Sequence, residues 1–266
     1  MKSQTILLLT TLLPAVLSAG PYAPPAGQPG STALDKDSPL FVAWADSVTH
    51  YAPGEDVDAV WQDPAEGLGA PEGNVFDVVC LGRGGSITLR FDPPIRDGAG
   101  DDFAVFENGH TDYFLELAFV EVSSNGSDYV RFASSSLTAA PVGQYGSLDP
   151  TDLDGFASKY RVGFGTPFDL SDLSPQASVD TSSISHVRLV DVIGGTDTDS
   201  TGAVIYDPFP TTGSAGFDLD AIGVIHAQAP PIEILSVTPD GDNIVISWES
   251  EIGANYRIEA TGDLTG

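Results

Sequence analysis

Between Leu189 and Ile225 the chain carries six aspartates and no Lys, Arg or His. Asp197, Asp199 and Thr201 occupy positions 1, 3 and 5 of Asp-Thr-Asp-Ser-Thr-Gly, with Gly202 at position 6. This matches the first half of an EF-hand-like loop, whose alternate side chains supply oxygens and whose Gly permits the sharp turn. The match is partial: Pro208 stands where the bidentate Glu belongs, and Asp207 lies one residue earlier. Asp218 and Asp220, in Phe-Asp-Leu-Asp-Ala-Ile-Gly-Val, are two apart and are predicted to share one face of a strand with Ile222 and Val224. Asp101, Asp102, Glu107 and Asn108 form a third oxygen-rich set. Oxygen donors on Gly-bounded loops suit Ca²⁺ better than a transition metal, so structural Ca²⁺ is the expected cofactor. The competing readings are a solvated acidic turn at each loop and, for Asp218 and Asp220, pairing with Arg or main-chain N–H groups.

Other chemistry has thinner support. A glycosidase needs two carboxylates across a cleft. Glu107, Glu116 and Glu121 are available, but Glu116 and Glu121 fall on opposite faces by parity. His50, His110, His186 and His226 lie in no nucleophile signature. Leu81-Gly-Arg-Gly-Gly precedes a strand rather than a helix, so it reads as a tight turn and not a phosphate loop. Cys80, the single cysteine, sits in an apolar strand-like run and reads as a small buried hydrophobe. Tyr113, Tyr145, Tyr206 and Phe209 lie in loop-like segments and are the candidate platforms for sugar rings; the competing reading is loops packed by their own aromatics.

These residues must be positioned by a folded, mostly β chain. The formal net charge of −28 makes nucleic acid and anionic lipid poor partners. Residues 1–19, with Lys2, an apolar stretch and Leu-Ser-Ala before Gly20, read as an export signal peptide. The expected location is secreted or at the cell surface, with no membrane span after cleavage. Residues 20–36 read as an extended leader. Ser38-Pro39 followed by Phe41, Trp44, Ala45 and Val48 predicts a short N-terminal helix. Strands are predicted at 75–81, 86–91, 103–106, 114–122, 129–132, 186–193 and 216–225, with Asn125-Gly126 as a hairpin turn. Residues 133–183 show little strand character and read as a long functional loop or a cover over a sheet, with one helical turn near Leu170. After a linker at 227–231, three short strands are predicted, with a turn at Asp240-Gly241.

Four segments together resemble a family of exported, largely uncharacterised bacterial proteins that often end in PEP-CTERM cell-surface sorting tails. They are Gly84-Gly-Ser-Ile-Thr-Leu, Asp102-Phe-Ala-Val-Phe-Glu-Asn, Phe119-Val-Glu-Val-Ser-Ser-Asn-Gly and Gly216-Phe-Asp-Leu-Asp-Ala-Ile-Gly-Val. Their order also resembles galactose-binding-type jelly rolls, with a fainter similarity to surface cobalamin-binding proteins. Trp248, Tyr256-Arg-Ile-Glu and Asp263-Leu-Thr resemble a fibronectin-like tail module cut short. The resemblance implies an all-β jelly-roll sandwich over 37–228, then a linker and truncated fibronectin-like module over 229–266. It also implies a non-catalytic, calcium-stabilised surface binding function. The expected partner is an extracellular glycan or cell-surface component. The alternatives are a structural or adhesive protein without a small ligand, a polysaccharide hydrolase using Glu116 or Glu121, and a cobalamin binder.

Overall fold

The computed structural model describes residues 19–173, 178–229, 234–241 and 243–248. The strands, in chain order, are β1 (Leu34–Asp35), β2 (Ala43–Trp44), β3 (Ser47–Ala52), β4 (Val79–Cys80), β5 (Ser86–Ile95), β6 (Phe103–Glu107), β7 (Ala118–Ser123) and β8 (Val130–Arg131). They continue with β9 (Ser135–Ser136), β10 (Leu153–Asp154), β11 (Phe164–Phe168), β12 (Ile184–Asp191), β13 (Asp218–Val224), β14 (Ile234–Asp240) and β15 (Asn243–Trp248). One sheet runs β1-β11-β6-β13-β2, with β4 also paired to β13; the other runs β3-β5-β12-β7-β8. All these pairings are antiparallel. From β5 to β7, and again from β11 to β13, each long strand lies in the opposite sheet from the one before it. This crossing pattern is that of a jelly-roll-type β-sandwich, as predicted.

Alternation makes the core. Ile87, Leu89 and Phe91 of β5 and Val187 and Leu189 of β12 face Phe103 and Val105 of β6 and Leu219, Ile222 and Val224 of β13. The intervening β6 residues Ala104 and Phe106 point the other way, against Leu34, Phe41 and Trp44. Trp44 therefore anchors a cover on the outer face, its ring 5.7 Å from that of Phe106. A third apolar cluster (Leu115, Leu117, Phe119, Leu148, Leu153, Phe156) lies beneath residues 142–156, so this part of the long loop does cover a sheet.

Three expectations are corrected or refined. The predicted helix at 38–48 is β2 and β3, crossing between the sheets through buried Ala45. Apolar residues at i, i+3, i+4 and i+7 satisfied a helical period, but their two halves are recruited by different sheets. The short helical elements are single 3₁₀ turns, at Ala59–Trp61, Pro64–Gly67, Pro150–Asp152 and Leu170–Asp172. The last is the turn predicted near Leu170, capped by Asp169. The segment expected to be strand-poor contains β11, which pairs with β6 on one side and with β1 on the other. Gly165 and Pro167 hide it from propensity, yet a Cβ at Gly165 would stand 2.8 Å from the Phe106 ring.

The leader is docked: Tyr22 N donates to Thr151 O at 3.0 Å, and Thr32 Oγ1 lies 2.7 Å from the Tyr160 hydroxyl. β14 and β15 form a hairpin turning at Asp240-Gly241, as expected. The signal peptide apart from Ala19, and the last of the three short strands expected after the linker, lie outside the described residues. Among the described residues, no helix is long and apolar enough to cross a membrane.

Candidate functional site

The aspartates of the opening motif separate into distinct surroundings. Asp199 is consumed by its own loop. Oδ1 accepts from Thr201 N, Thr201 Oγ1 and Ala203 N at 2.7–3.0 Å, and Oδ2 accepts from Ser136 N at 3.0 Å. These bonds hold its carboxyl below the usual range against the opposing effect of burial. Asp197 Oδ2 accepts from Ile193 N at 2.8 Å. The half EF-hand pattern is thus a hydrogen-bonded turn, with Thr201 serving Asp199. Asp207 is buried near Asp191 and Asp197; burial, then the Asp191 charge, pushes its carboxyl up to about 8.

Asp218 and Asp220 do not share a face with Ile222 and Val224. A bulge between Leu219 and Ala221 shifts the parity, so Leu219 joins Ile222 and Val224 in the core. Asp220 is held by the main-chain N–H groups of Glu72 and Gly73, and burial raises it to about 7. Both faces of β13 are covered, as expected, and all seven of its residues are buried.

Glu107 and Asp102 also separate, because they stand at opposite ends of β6. Asp102 Oδ1 accepts from Gly98 N and pairs with His226 Nδ1 at 2.8 Å, while Oδ2 accepts from Leu170 N. With Asp97 and Asp169 it forms the one group, among the described residues, whose three carboxylate oxygens lie within 4.8 Å of one another.

At the other end of β6, Glu107 meets Asp218 and Glu116. All three are nearly fully buried, and each has a buried oxygen with no hydrogen-bond partner among the described residues: Glu107 Oε1, Glu116 Oε1 and Asp218 Oδ1. Glu107 Oε2 accepts from Ser158 Oγ at 3.0 Å. Burial, then the Asp218 charge, raises both glutamates well above the ordinary carboxylate range, against a hydrogen bond from Thr211 to Glu116. Burial likewise raises Asp218, against hydrogen bonds involving Cys80 and Asn108. The Cys80 thiol is pushed up by burial and by Asp218, which makes it inert and fits its reading as a buried hydrophobe.

Glu116 and Asp218 line a pocket of about 450 Å³, with Asn108 and Thr211 beside them. Its walls are Trp61, Phe76, Phe114 and Tyr145. Local turns aim these rings. Thr111 Oγ1 accepts from Phe114 N at 3.0 Å, Asn74 Oδ1 accepts from Phe76 N at 2.8 Å, and Asn108 Nδ2 donates to Val75 O at 3.1 Å. The Trp61 turn is tied to the 211–213 loop by Asp58 N to Gly213 O at 2.8 Å. Phe114 and Tyr145 lie 6.5 Å apart, centroid to centroid.

Of the predicted platforms, Tyr145 lines this pocket, whereas Tyr113, Tyr206 and Phe209 do not. Phe209 lies under Arg83 instead, 6.0 Å from its guanidinium. Glu121 belongs to a different surface, where it pairs with Arg131 at 2.8 Å and with Arg188 at 2.5 Å; it does not line the pocket of Glu116. Trp61, Phe76, Phe114 and Thr211 escaped the sequence reading.

A scan of the chain against protein-family models gave no match, and neither did a comparison with curated proteins.

Proposed function

We propose that this chain is an exported, non-catalytic surface module that binds a glycan in the pocket over Glu116 and Asp218. The observation that carries the reading is a concave site with four aromatic walls and a small set of buried polar groups, the chemistry that grips a sugar ring by its apolar face and its hydroxyls. The export reading rests on the first 19 residues.

Binding of the whole chain to a glycan array is the direct test. Trp61→Ala and Tyr145→Ala are each expected to weaken binding of any glycan found by about tenfold or more, with thermal stability changed little. Undiminished binding by both variants would place the ligand elsewhere. Calcium enters this reading as a staple at Asp97, Asp102 and Asp169. The same preparation, titrated with Ca²⁺ after chelation, is expected to gain melting temperature, and a flat response removes the ion from the account.

The second reading, a hydrolase, is favoured by one observation: Glu116 and Asp218 line the same pocket with raised proton affinities. Polysaccharide cleavage lost in Glu116→Gln would promote it over binding alone.

A further inference from the structure

The pocket floor is acidic in a way its walls do not answer. Among the described residues, no Lys or Arg lines it, and His110, at its exposed rim, is the one basic residue there. Glu116 and Asp218 each keep a buried oxygen without a donor, while Glu107 stands behind them with a third. Buried carboxylate oxygens without donors are costly, and a ligand that brings donors to them recovers that cost on binding.

Two kinds of cation meet the need. A bare divalent ion requires several oxygens converging on one point, and these three residues do not form such a group: among the described residues, only Asp97, Asp102 and Asp169 do. An ammonium asks less. It brings up to three N–H donors, accepts carboxylates from separate directions, and gains from aromatic faces such as Trp61, Phe76 and Phe114.

We propose that the ligand of this pocket carries a cationic amine, and that the glycan it takes is an amino sugar with a free amino group held by Glu116 and Asp218. This rests on the reading that the pocket is the glycan site, and the test separates the two claims.

Three trisaccharide probes would be titrated into the whole chain at 150 mM salt: a glucosamine trimer, its fully N-acetylated counterpart and a glucose trimer. Each would be run against the parent chain and against Glu116→Gln, Asp218→Asn and Trp61→Ala. The glucosamine trimer is expected to bind about tenfold or more tightly than the other two. Glu116→Gln and Asp218→Asn should erase that preference, while Trp61→Ala should weaken all binding. If the N-acetylated or glucose trimer binds as well as the amine in the parent chain, the amine proposal is overturned and the glycan pocket stands. If no probe binds in a Trp61-dependent way, both fail. A chain of net charge −28 also attracts polycations at its surface. An amine preference that survives both carboxylate changes, and vanishes at 0.5 M salt, therefore overturns the proposal too. Each variant would be checked by its thermal transition; should Asp218→Asn fail to fold, Glu116→Gln decides.

Discussion

Gly85→Ala is expected to destabilise the protein by more than about 4 kcal/mol, enough to remove a cooperative melting transition or the soluble chain itself. A methyl group there would stand 1.9 Å from Leu81 O and 2.5 Å from Gly54 N, and both are main-chain atoms that cannot rotate away. The site is a junction. Gly54 N donates to Leu81 O, Gly85 N donates to Gly82 O, and Gly85 O accepts from Asp191 N, all at 2.8–2.9 Å. One tight turn thus joins the end of β3, the start of β5 and the end of β12, and any shift that relieves the clash breaks bonds in all three. Gly143→Ala is the control. Nothing lies within 4 Å of its added carbon, and only its positive φ of 78° is strained, so a loss of about 1 kcal/mol is expected. Paired thermal or denaturant melts check both, and similar losses in the two variants would refute the junction.

This turn was legible in the sequence as a turn, because Gly-rich runs before an alternating strand have few other uses. The reason for its glycines was not legible: Gly54, their steric partner, lies about 30 residues away in sequence. The same division runs through the fold. β5 announced itself by strict alternation, because one face meets the core and the other is partly solvated. β6 and β13 also showed, as apolar runs buried on both faces. The residues that cover β6 from outside, Phe41 and Trp44, were mistaken for a helix because short apolar spacing is ambiguous when tertiary contacts decide the conformation.

The candidate site was half visible. Glu107, Asn108, Glu116, Tyr145 and Asp218 were each noticed, but in four different contexts, and sequence separation gives no sign that β6 and β13 bring the first and last together. The parity argument for Asp218 and Asp220 failed at a single bulged residue. The Asp197–Gly202 motif is ambiguous in another way. Its spacing satisfies a calcium loop and equally satisfies a turn in which one aspartate collects main-chain N–H groups, and Asp199 does the latter.

Buried carboxylates without counter-charges give the chain an inverted pH response. In chelator, its melting temperature is expected to rise by about 5 °C or more as pH falls from 8 to 5. Asp191 and Asp220 are raised from the ordinary 3.8 to about 7, and Asp207 to about 8, each chiefly by burial. Between pH 4 and pH 8 the native state therefore holds protons that the unfolded chain has released. Unfolding free energy falls as pH rises through that window and recovers as pH falls. A carboxyl that titrates one pH unit higher in the folded chain than in the unfolded one accounts for about 1.4 kcal/mol, so these three aspartates together amount to several kcal/mol even if each is raised only in part. His186, lowered by burial and by Arg90, opposes the trend below its ordinary 6.5, but it is one partly exposed ring against several buried acids. Asp199, lowered instead, loses its contribution only near and below pH 4. Relief of general repulsion at net charge −28 acts in the same direction, so a variant must isolate the buried groups. Asp207→Asn removes one titration while nearly preserving shape, and should flatten the slope between pH 6 and 8 and raise the melting temperature at pH 8. A melting temperature that is constant or falls on acidification to pH 5, or a slope unaltered in Asp207→Asn, would show that these carboxylates carry their charge inside the fold with partners of their own.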